Sequence, residues 1–346
     1  MNFDWLVIRS QGMSFRIDRR VPFMVLCLAL AIVVVMVMNL GRGEYPISPG
    51  DIVKTLLGLD TGNPDHAFVI YNLRLPRTLV ALMVGVALAI SGTIFQGLTR
   101  NPLADPGIIG INAGASLAAV TVIVLFPAAP IYTLPLSAFA GALLMAILIY
   151  SLAWNNGSSP ILLILMGVGL SAIASAITSL MITFGQISDV SNALVWLAGS
   201  VYGRTNEQVF SLLPWLVIFI PTALTLARHL NALNLGDDVA KSLGSRVEWQ
   251  RGLLILVAVA LAGAGVATAG NIGFVGLIAP HLGRQLVGTT HEGLIPTSAL
   301  LGGVIVVMAD FLGRTLFAPI ELPCGVVTAA IGAPYFLYLL IRNRKK

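Results

Sequence analysis

Charged residues are scarce in this sequence. Asp, Glu, Lys and Arg make up 10% of its 346 residues, whereas hydrophobic residues make up 57% and the mean hydropathy is +0.91. A soluble globular domain carries about 25% charged residues, so this chain has too little polar surface to face water on all sides. The composition excludes an ordinary soluble domain and indicates a protein whose solvent is the lipid bilayer.

Cysteine and histidine are also rare. The two cysteines, Cys27 and Cys324, stand near opposite ends of the chain, so we expect small buried apolar residues and not a disulfide or a metal pair. The four histidines form no helical pair and no His/Cys cluster of the zinc-binding kind. The apolar runs also lack paired carboxylates and Ser/His sets. The sequence predicts no metal site, no cofactor and no catalytic residue, which disfavours a membrane-embedded enzyme.

Long charge-free runs fill most of the chain. A charge at the centre of a membrane helix costs about 2.5–3.5 kcal/mol, so apolar runs of about 20 residues mark membrane spans. Ten such runs are found, at 21–40, 78–98, 107–126, 131–153, 160–184, 209–227, 252–270, 272–289, 295–313 and 323–341. The sequence predicts an all-α polytopic membrane protein with about ten transmembrane helices over 21–341. Basic cytoplasmic tails are expected at 1–20 and 342–346.

Lys and Arg are distributed unevenly between the two sides of these spans. With the N-terminus inside and ten spans, 14 of the 20 basic residues fall on inner segments and the other six on outer segments. The positive-inside rule therefore places both termini in the cytoplasm. The N-terminal arginines resemble the start of a signal peptide, but the run 21–40 is too long for one and no A-x-A-like site follows it.

Small residues recur at helical spacing inside several runs. One face of the second run carries Gly85, Ala89 and Gly92, and one face of the fifth carries Gly167, Ser171 and Ser175. Such faces let helix backbones approach closely, which is a main source of helix association in lipid. We interpret both faces as helix-packing surfaces.

The middles of the runs hold almost no ionisable residues. A proton- or sodium-coupled carrier keeps Asp, Glu, His or Lys inside its bundle, because only function justifies so costly a group. Here Asp310 lies near the outer end of the ninth run, and His281 and Arg284 lie near the inner end of the eighth. The pattern disfavours a gradient-driven secondary transporter, which is the alternative from a different class.

An ATP-binding loop would provide another source of energy. The nearest match to G-x-x-x-x-G-K-[ST] runs from Gly236 to Ser242. It is one residue too short, Ala240 precedes Lys241 in place of the second glycine, and two acids stand where phosphate would bind. The sequence therefore predicts that ATP is hydrolysed on a separate subunit.

The same segment has the pattern of a short cytoplasmic helix. In 234–244 (NLGDDVAKSLG), Asn234 can cap the start, two acids stand at the positive end of the helix dipole, and Gly244 suits a left-handed stop. Leu235, Val239 and Leu243, four residues apart, form one apolar stripe. Either this helix is tucked beneath its own bundle or its stripe docks onto another subunit.

Three arginines border the spans on the predicted outer side. Arg74 and Arg77 precede the second span and Arg314 follows the ninth. Arginines at a membrane border commonly anchor to lipid headgroups, but three of them can also form a patch that attracts an acidic partner. The residues alone leave both interpretations open.

Five stretches together resemble the FecCD-type permeases of binding-protein-dependent ABC importers for iron siderophores, haem and cobalamin. They occur in the family's order and cover the chain from about residue 74 onward. They are RLPRTLVALMVGVALAISG (74–92), QGLTRNPLADPGIIGINAGA (96–115), LNLGDDVAKSLG (233–244), GNIGFVGLIAPHLGRQLVG (270–288) and ELPCGVVTAAIGAPYFLYLL (321–340). The chain most resembles iron–siderophore permeases, and haem or cobalamin is the alternative cargo.

The resemblance implies a set of partners in the cytoplasmic membrane. It implies ten spans, a second permease subunit as a homodimer or a heterodimer with a paralogue, two ATP-binding subunits inside, and a substrate-binding protein outside. The expected cargo is an iron(III)–siderophore complex. No nucleic-acid partner is expected.

The resemblance also implies roles for particular residues. Arg74, Arg77 and Arg314 match the outer arginines that grip glutamates on the binding protein. The loop Asn101, Pro102 and Leu103 matches part of the cytoplasmic gate. The region that couples to the ATPase corresponds to Leu235, Gly236, Asp237, Asp238, Val239, Ala240, Lys241, Leu243 and Gly244.

Overall fold

The structure is a computed structural model that describes residues 5–10, 13–43, 45–107, 110–154 and 159–343. Within these residues β1 (Trp5–Ser10) pairs antiparallel with β2 (Met13–Asp18) in a hairpin, with Trp5 opposite Asp18. The sequence assigned no structure to this part of the predicted tail 1–20. Residues 1–4, 11–12 and 344–346 of the two predicted tails lie outside the described residues.

All further regular secondary structure in the described chain is helical. The helices are α1 (Arg20–Gly41), α2 (Pro49–Leu56), α3 (Asp65–Phe68), α4 (Leu75–Thr99), α5 (Ile111–Leu125), α6 (Thr133–Leu152), α7 (Pro160–Phe184), α8 (Ile187–Ala198), α9 (Asn206–Thr225), α10 (Ala227–Asn234), α11 (Asp237–Ser242), α12 (Val247–Ala269), α13 (Val275–Val287), α14 (His291–Thr315) and α15 (Cys324–Asn343). A π-helical turn, Val69–Arg74, joins α3 to α4.

Each of the ten predicted apolar runs overlaps one of these helices along most of its length. By length and composition, eight helices of the described chain can cross a membrane. Seven of them are α1, α6, α7, α9, α12, α14 and α15, and the eighth is the continuous stretch Asp65–Thr99, which includes α4. The other two runs contain α5 and α13, which are shorter, with 15 and 13 residues. The predicted all-α membrane fold is confirmed. The apolar helix α8 was not predicted, because its 12 residues between Gly185 and Gly199 are too few for a span.

The centre of the bundle is α4, whose residues are almost all buried. It crosses α14 where Gly85 lies against Gly302, and it crosses α13 where Gly92 lies against Gly276. At either position of α4 an added Cβ would overlap a carbonyl oxygen of the neighbouring helix. Backbones this close require glycine, so the predicted packing role of this face is confirmed.

Large apolar side chains cover the outer surfaces of α1, α6 and α7. Leu26, Leu144 and Leu165 are 59%, 60% and 59% exposed, as expected for surfaces that face lipid or another subunit. Cys324 is buried as predicted. The prediction for Cys27 is wrong, because it is exposed on α1.

The two ends of α4 separate two groups of charged residues. Arg74 and Arg77 lie at its start, together with Arg314 of α14. Arg100 lies just beyond its other end, close to Asp237 of α11. The residues predicted to be outer and those predicted to be inner therefore gather at opposite ends of the bundle.

Candidate functional site

A buried charge network occupies the predicted outer end. The guanidinium of Arg77 donates to both carboxylate oxygens of Asp310, with Nη2 2.7 Å from Oδ1, and its Nη1 lies 2.9 Å from Oε2 of Glu321. The side chain of Asn39, near the end of α1, donates to Asp310 Oδ2 at 3.2 Å. The network thus joins α1, α4, α14 and the segment before α15.

The other two predicted docking arginines are held by neutral groups. Arg74 donates to the carbonyl oxygens of Leu40 and Tyr45, and Arg314 donates to the carbonyl and side-chain oxygens of Asn39. These two arginines and Arg77 are 7–8% exposed, so all three lie inside the protein and none stands on an open surface. The sequence could not reveal this arrangement, because their partners are distant along the chain. Their docking role stays a prediction.

A groove that carries hydroxyl and amide groups as well as apolar side chains lies between α5, α7 and the segment that leads into α13. Its volume is about 610 Å³. Its wall includes Asn112 and Ser116 of α5, Ser171, Ser175 and Thr178 of α7, and Asn271. The Asn112 amide donates to Asn271 Oδ1 at 2.8 Å. The packing interpretation of the Ser171 face is therefore incomplete, because these serines also line the groove.

The backbone beside this groove is not helical. Between the end of α12 and the start of α13, residues Gly270–Phe274 form no helix, and Phe274 adopts a left-handed conformation with φ 68°. Non-helical backbone within a membrane protein is tolerated where protein buries it or where it lines a water-filled cavity. This segment and the nearby hydroxyl and amide groups of α5 and α7 supply the hydrogen-bonding groups of the groove.

Asp105 also lines the groove, from the loop that joins α4 to α5. It is 9% exposed, and its Oδ1 accepts the backbone N–H of Gly107 at 2.8 Å. Burial outweighs this hydrogen bond and raises the pKa of the Asp105 carboxyl to about 6. No pattern in the sequence singles out this acid.

At the opposite end, the predicted coupling helix is divided. The sequence predicted one helix from Asn234 to Gly244, but α10 ends at Asn234 and α11 begins at Asp237. Gly236 between them has φ +110°, which only glycine adopts without strain, so it breaks the helix. Gly244 has φ +85° and ends the segment as predicted. We call residues 235–244 the docking segment.

The apolar stripe of the docking segment faces outward. Leu235, Val239 and Leu243 are 65%, 45% and 66% exposed, whereas Ala240 is fully buried against the bundle. The structure therefore contradicts the alternative in which the stripe is tucked beneath its own bundle. Asp238 is exposed as well, and Lys241 stands in the last turn of α11.

Asp237 holds the docking segment onto the bundle. Its two carboxylate oxygens each accept from Nη2 of Arg251 on α12 at 2.8 Å. Oδ1 also lies 3.4 Å from Nη2 of Arg100. The sequence marked Asp237 only as an acid favourable at a helix start, and it did not reveal either arginine partner.

The predicted gate residues directly follow Arg100. The side chain of Asn101 accepts the backbone N–H of Leu103 at 3.0 Å, which closes a tight turn around the exposed Pro102. This turn lies at the same end of the bundle as the docking segment. Its gating role stays a prediction.

A metal centre has no support in the described chain. Among the described residues no group of three or more His, Cys, Asp and Glu side chains is placed to hold an ion.

Comparisons with known proteins agree on one family. The sequence model of the FecCD transport family matches residues 30–342. The Fe(3+)-citrate import system permease protein YfmE of Bacillus subtilis is 45% identical over 332 residues, which cover 96% of this chain and 98% of that protein. The Fe(3+)-citrate import system permease protein YfmD of the same organism is 41% identical, over 88% of this chain and 90% of that protein.

A solved structure has the same architecture. It is described as an inward-facing conformation of a metal-chelate type ABC transporter. It matches with a TM-score of 0.84 and 33% identity, over 93% of this chain and 99% of the solved chain.

Proposed function

The chain belongs to the FecCD transport family and is a membrane permease subunit, not an enzyme, and we propose that it passes an iron(III) chelate of the siderophore or citrate class across the cytoplasmic membrane. The groove between α5 and α7 carries the transport part of this proposal. Hydroxyl and amide groups of Asn112, Ser171, Ser175 and Asn271 line it. The names of the similar permeases support ferric chelates as the cargo.

The chemistry of the groove suits a bulky, oxygen-rich cargo. Neutral hydroxyl and amide groups offer several weak hydrogen bonds, and transport requires contacts that are weak enough to release the cargo. A ferric siderophore presents carbonyl and hydroxyl oxygens that can accept or donate such bonds.

A second permease subunit completes the pathway in this proposal. The exposed apolar surface of α7, next to the groove, offers an area that a neighbouring subunit can cover. Two similar permeases from one organism carry the name of the same Fe(3+)-citrate import system. This favours a paralogue as the partner over a second identical copy.

The remaining partners are assigned to the two ends of the bundle. The exposed stripe of Leu235, Val239 and Leu243 docks onto an ATP-binding subunit in the cytoplasm. The end that holds Arg74, Arg77 and Arg314 receives the substrate-binding protein outside. This orientation places both termini in the cytoplasm, as the distribution of basic residues favours.

Uptake in reconstituted vesicles tests the cargo. The permease is assembled with its paralogue, ATP-binding subunit and binding protein, and labelled ferric citrate, a ferric hydroxamate siderophore, haem and cobalamin are compared. We expect ATP-dependent uptake of a ferric chelate and at least a tenfold loss in Ser171→Leu combined with Ser175→Leu. Ser151→Leu on the exposed face of α6 is the control. Uptake of cobalamin or haem alone would overturn the proposed cargo.

A further inference from the structure

Asp237 joins the docking segment to two other parts of the chain. It is the first residue of α11, and its carboxylate contacts Arg251 of α12 and Arg100 at the end of α4. The Asp237 carboxylate thus connects the docking segment to α12 and to the residue that follows α4.

The two contacts of Asp237 differ in strength. The Arg251 side chain is 1% exposed and contacts both carboxylate oxygens at 2.8 Å, whereas the Arg100 side chain is 39% exposed and contacts one oxygen at 3.4 Å. The pair with Arg251 is the stronger of the two, because the guanidinium is buried and its Nη2 contacts both carboxylate oxygens at short distance. A long, partly exposed pair breaks and re-forms at little cost.

The weaker contact leads directly to the predicted gate. Arg100 has φ 51° and ψ 29°, a left-handed conformation that residues with a Cβ seldom adopt and that their surroundings must hold in place. The turn of Asn101, Pro102 and Leu103 begins at the next residue. A change in the contact between Arg100 and Asp237 therefore acts on the residue that sets the direction of this turn.

We infer that Asp237 is a positioning residue that transmits movement of the docking segment to the gate turn. Its pair with Arg251 is a fixed pivot at the start of α12. Its pair with Arg100 forms or breaks as the ATP-binding subunit moves α11, and the turn at 101–103 moves with it. This inference rests on the proposed docking of the ATP-binding subunit.

The first experiment measures transport per ATP hydrolysed in the reconstituted importer. Arg100→Gln removes the weak pair and leaves the pair of Asp237 with Arg251 intact. We expect the ratio of transport to hydrolysis to fall about fivefold, as for loss of a partly exposed pair worth about 1 kcal/mol. Arg100→Lys keeps the charge, so its ratio of transport to hydrolysis should stay close to that of the wild type. Arg246→Gln, the same change at an exposed arginine of the same end, is the control.

The second experiment follows the gate turn itself. A Pro102→Cys variant that also carries Cys27→Ser is labelled with a hydrophilic thiol reagent with and without ATP. We expect an ATP-dependent change in the labelling rate that is lost in Arg100→Gln and retained in Arg246→Gln. An unchanged ATP response together with an unchanged transport ratio in Arg100→Gln would overturn the inference.

Co-purification separates this inference from the proposed function. If the ATP-binding subunit does not bind the wild-type complex, the proposed docking fails and the inference fails with it. If binding is lost only in Arg100→Gln, Arg100 is itself a docking residue and the positioning role is wrong. Normal binding with a lowered transport ratio supports the inference.

Discussion

Arg77 of α4 and Asp310 of α14 form a buried ion pair that fixes these two helices to each other at one end of the bundle. The residues are separated by 233 positions in sequence, and Asp310 is 2% exposed. The charge of each residue compensates the charge of the other inside the protein. Neither charge would be tolerated there alone.

Stability should depend strongly on this pair. Replacing Arg77 by Ala leaves Asp310 buried without its counter-charge, and we expect a loss of about 3–5 kcal/mol in the free energy of unfolding. Thermal unfolding in detergent measures it. Arg42→Ala, at an exposed arginine of the same end, should change stability by no more than about 0.5 kcal/mol. Equal unfolding temperatures for the two variants would contradict the role of the pair.

The docking of the binding protein should compete with Glu321. This glutamate is partly exposed and pairs with Arg77, so an acidic partner must displace it to reach the guanidinium. We expect Glu321→Gln to strengthen binding by about two- to fivefold, with a steeper dependence on salt. Affinity is measured on the reconstituted importer at low and high salt. Glu207→Gln, at an exposed acid, is the control, and weaker binding in Glu321→Gln would refute the competition.

The docking stripe should be needed for assembly but not for folding. Leu235→Asp combined with Leu243→Asp changes two exposed side chains, so the permease should insert and keep its unfolding temperature while the ATP-binding subunit no longer co-purifies. Ala240→Asp places a charge at a fully buried position and should lower the unfolding temperature. Normal co-purification of the double variant would show that the stripe is not the docking surface.

The stability of the protein should vary with pH through Asp105. Burial raises the pKa of this carboxyl from 3.8 to about 6 in the folded state, so the folded protein holds the proton more tightly than the unfolded chain. The stability that the protonated Asp105 carboxyl contributes to the folded state is present in full below about pH 4, and it is lost as the pH rises through about 6. Relative to Asp105→Asn, the wild type should lose about 3 kcal/mol over this window.

Unfolding in detergent across this window measures the effect of Asp105. The control is Asp238→Asn, which changes an exposed acid whose side chain makes no hydrogen bond or ion pair within the described residues. Parallel pH profiles for the wild type and Asp105→Asn would contradict the assignment.

Reporter fusions test the orientation. A reporter after Lys346 and another within 233–247 should report the cytoplasm, and one within 60–65 should report the outside, because the basic residues favour that arrangement. A C-terminal reporter on the outside would exclude an even number of spans with an inner N-terminus.

The sequence predicted the placement of the apolar helices because a charge in the membrane is costly, so charge-free runs mark the helices that lie there. It did not predict the break at Gly236, because apolar residues four apart on both sides of it match an uninterrupted helix. It also did not pair Arg77 with Asp310 or Asp237 with Arg251, because no local pattern links residues on different helices. Small residues at positions 171 and 175 fit packing and groove lining equally well, and only the fold distinguishes the two roles.

The glycine crossings of α4 limit how such a permease can diversify. At Gly85 and Gly92 even a methyl group would overlap a neighbouring backbone, so no substitution there can adjust the transport path without separating helices. The groove wall on α5 and α7 has open space in front of its side chains. In a library that covers every position, variants with altered cargo should therefore arise on that wall, while α4 tolerates almost no change at its crossings.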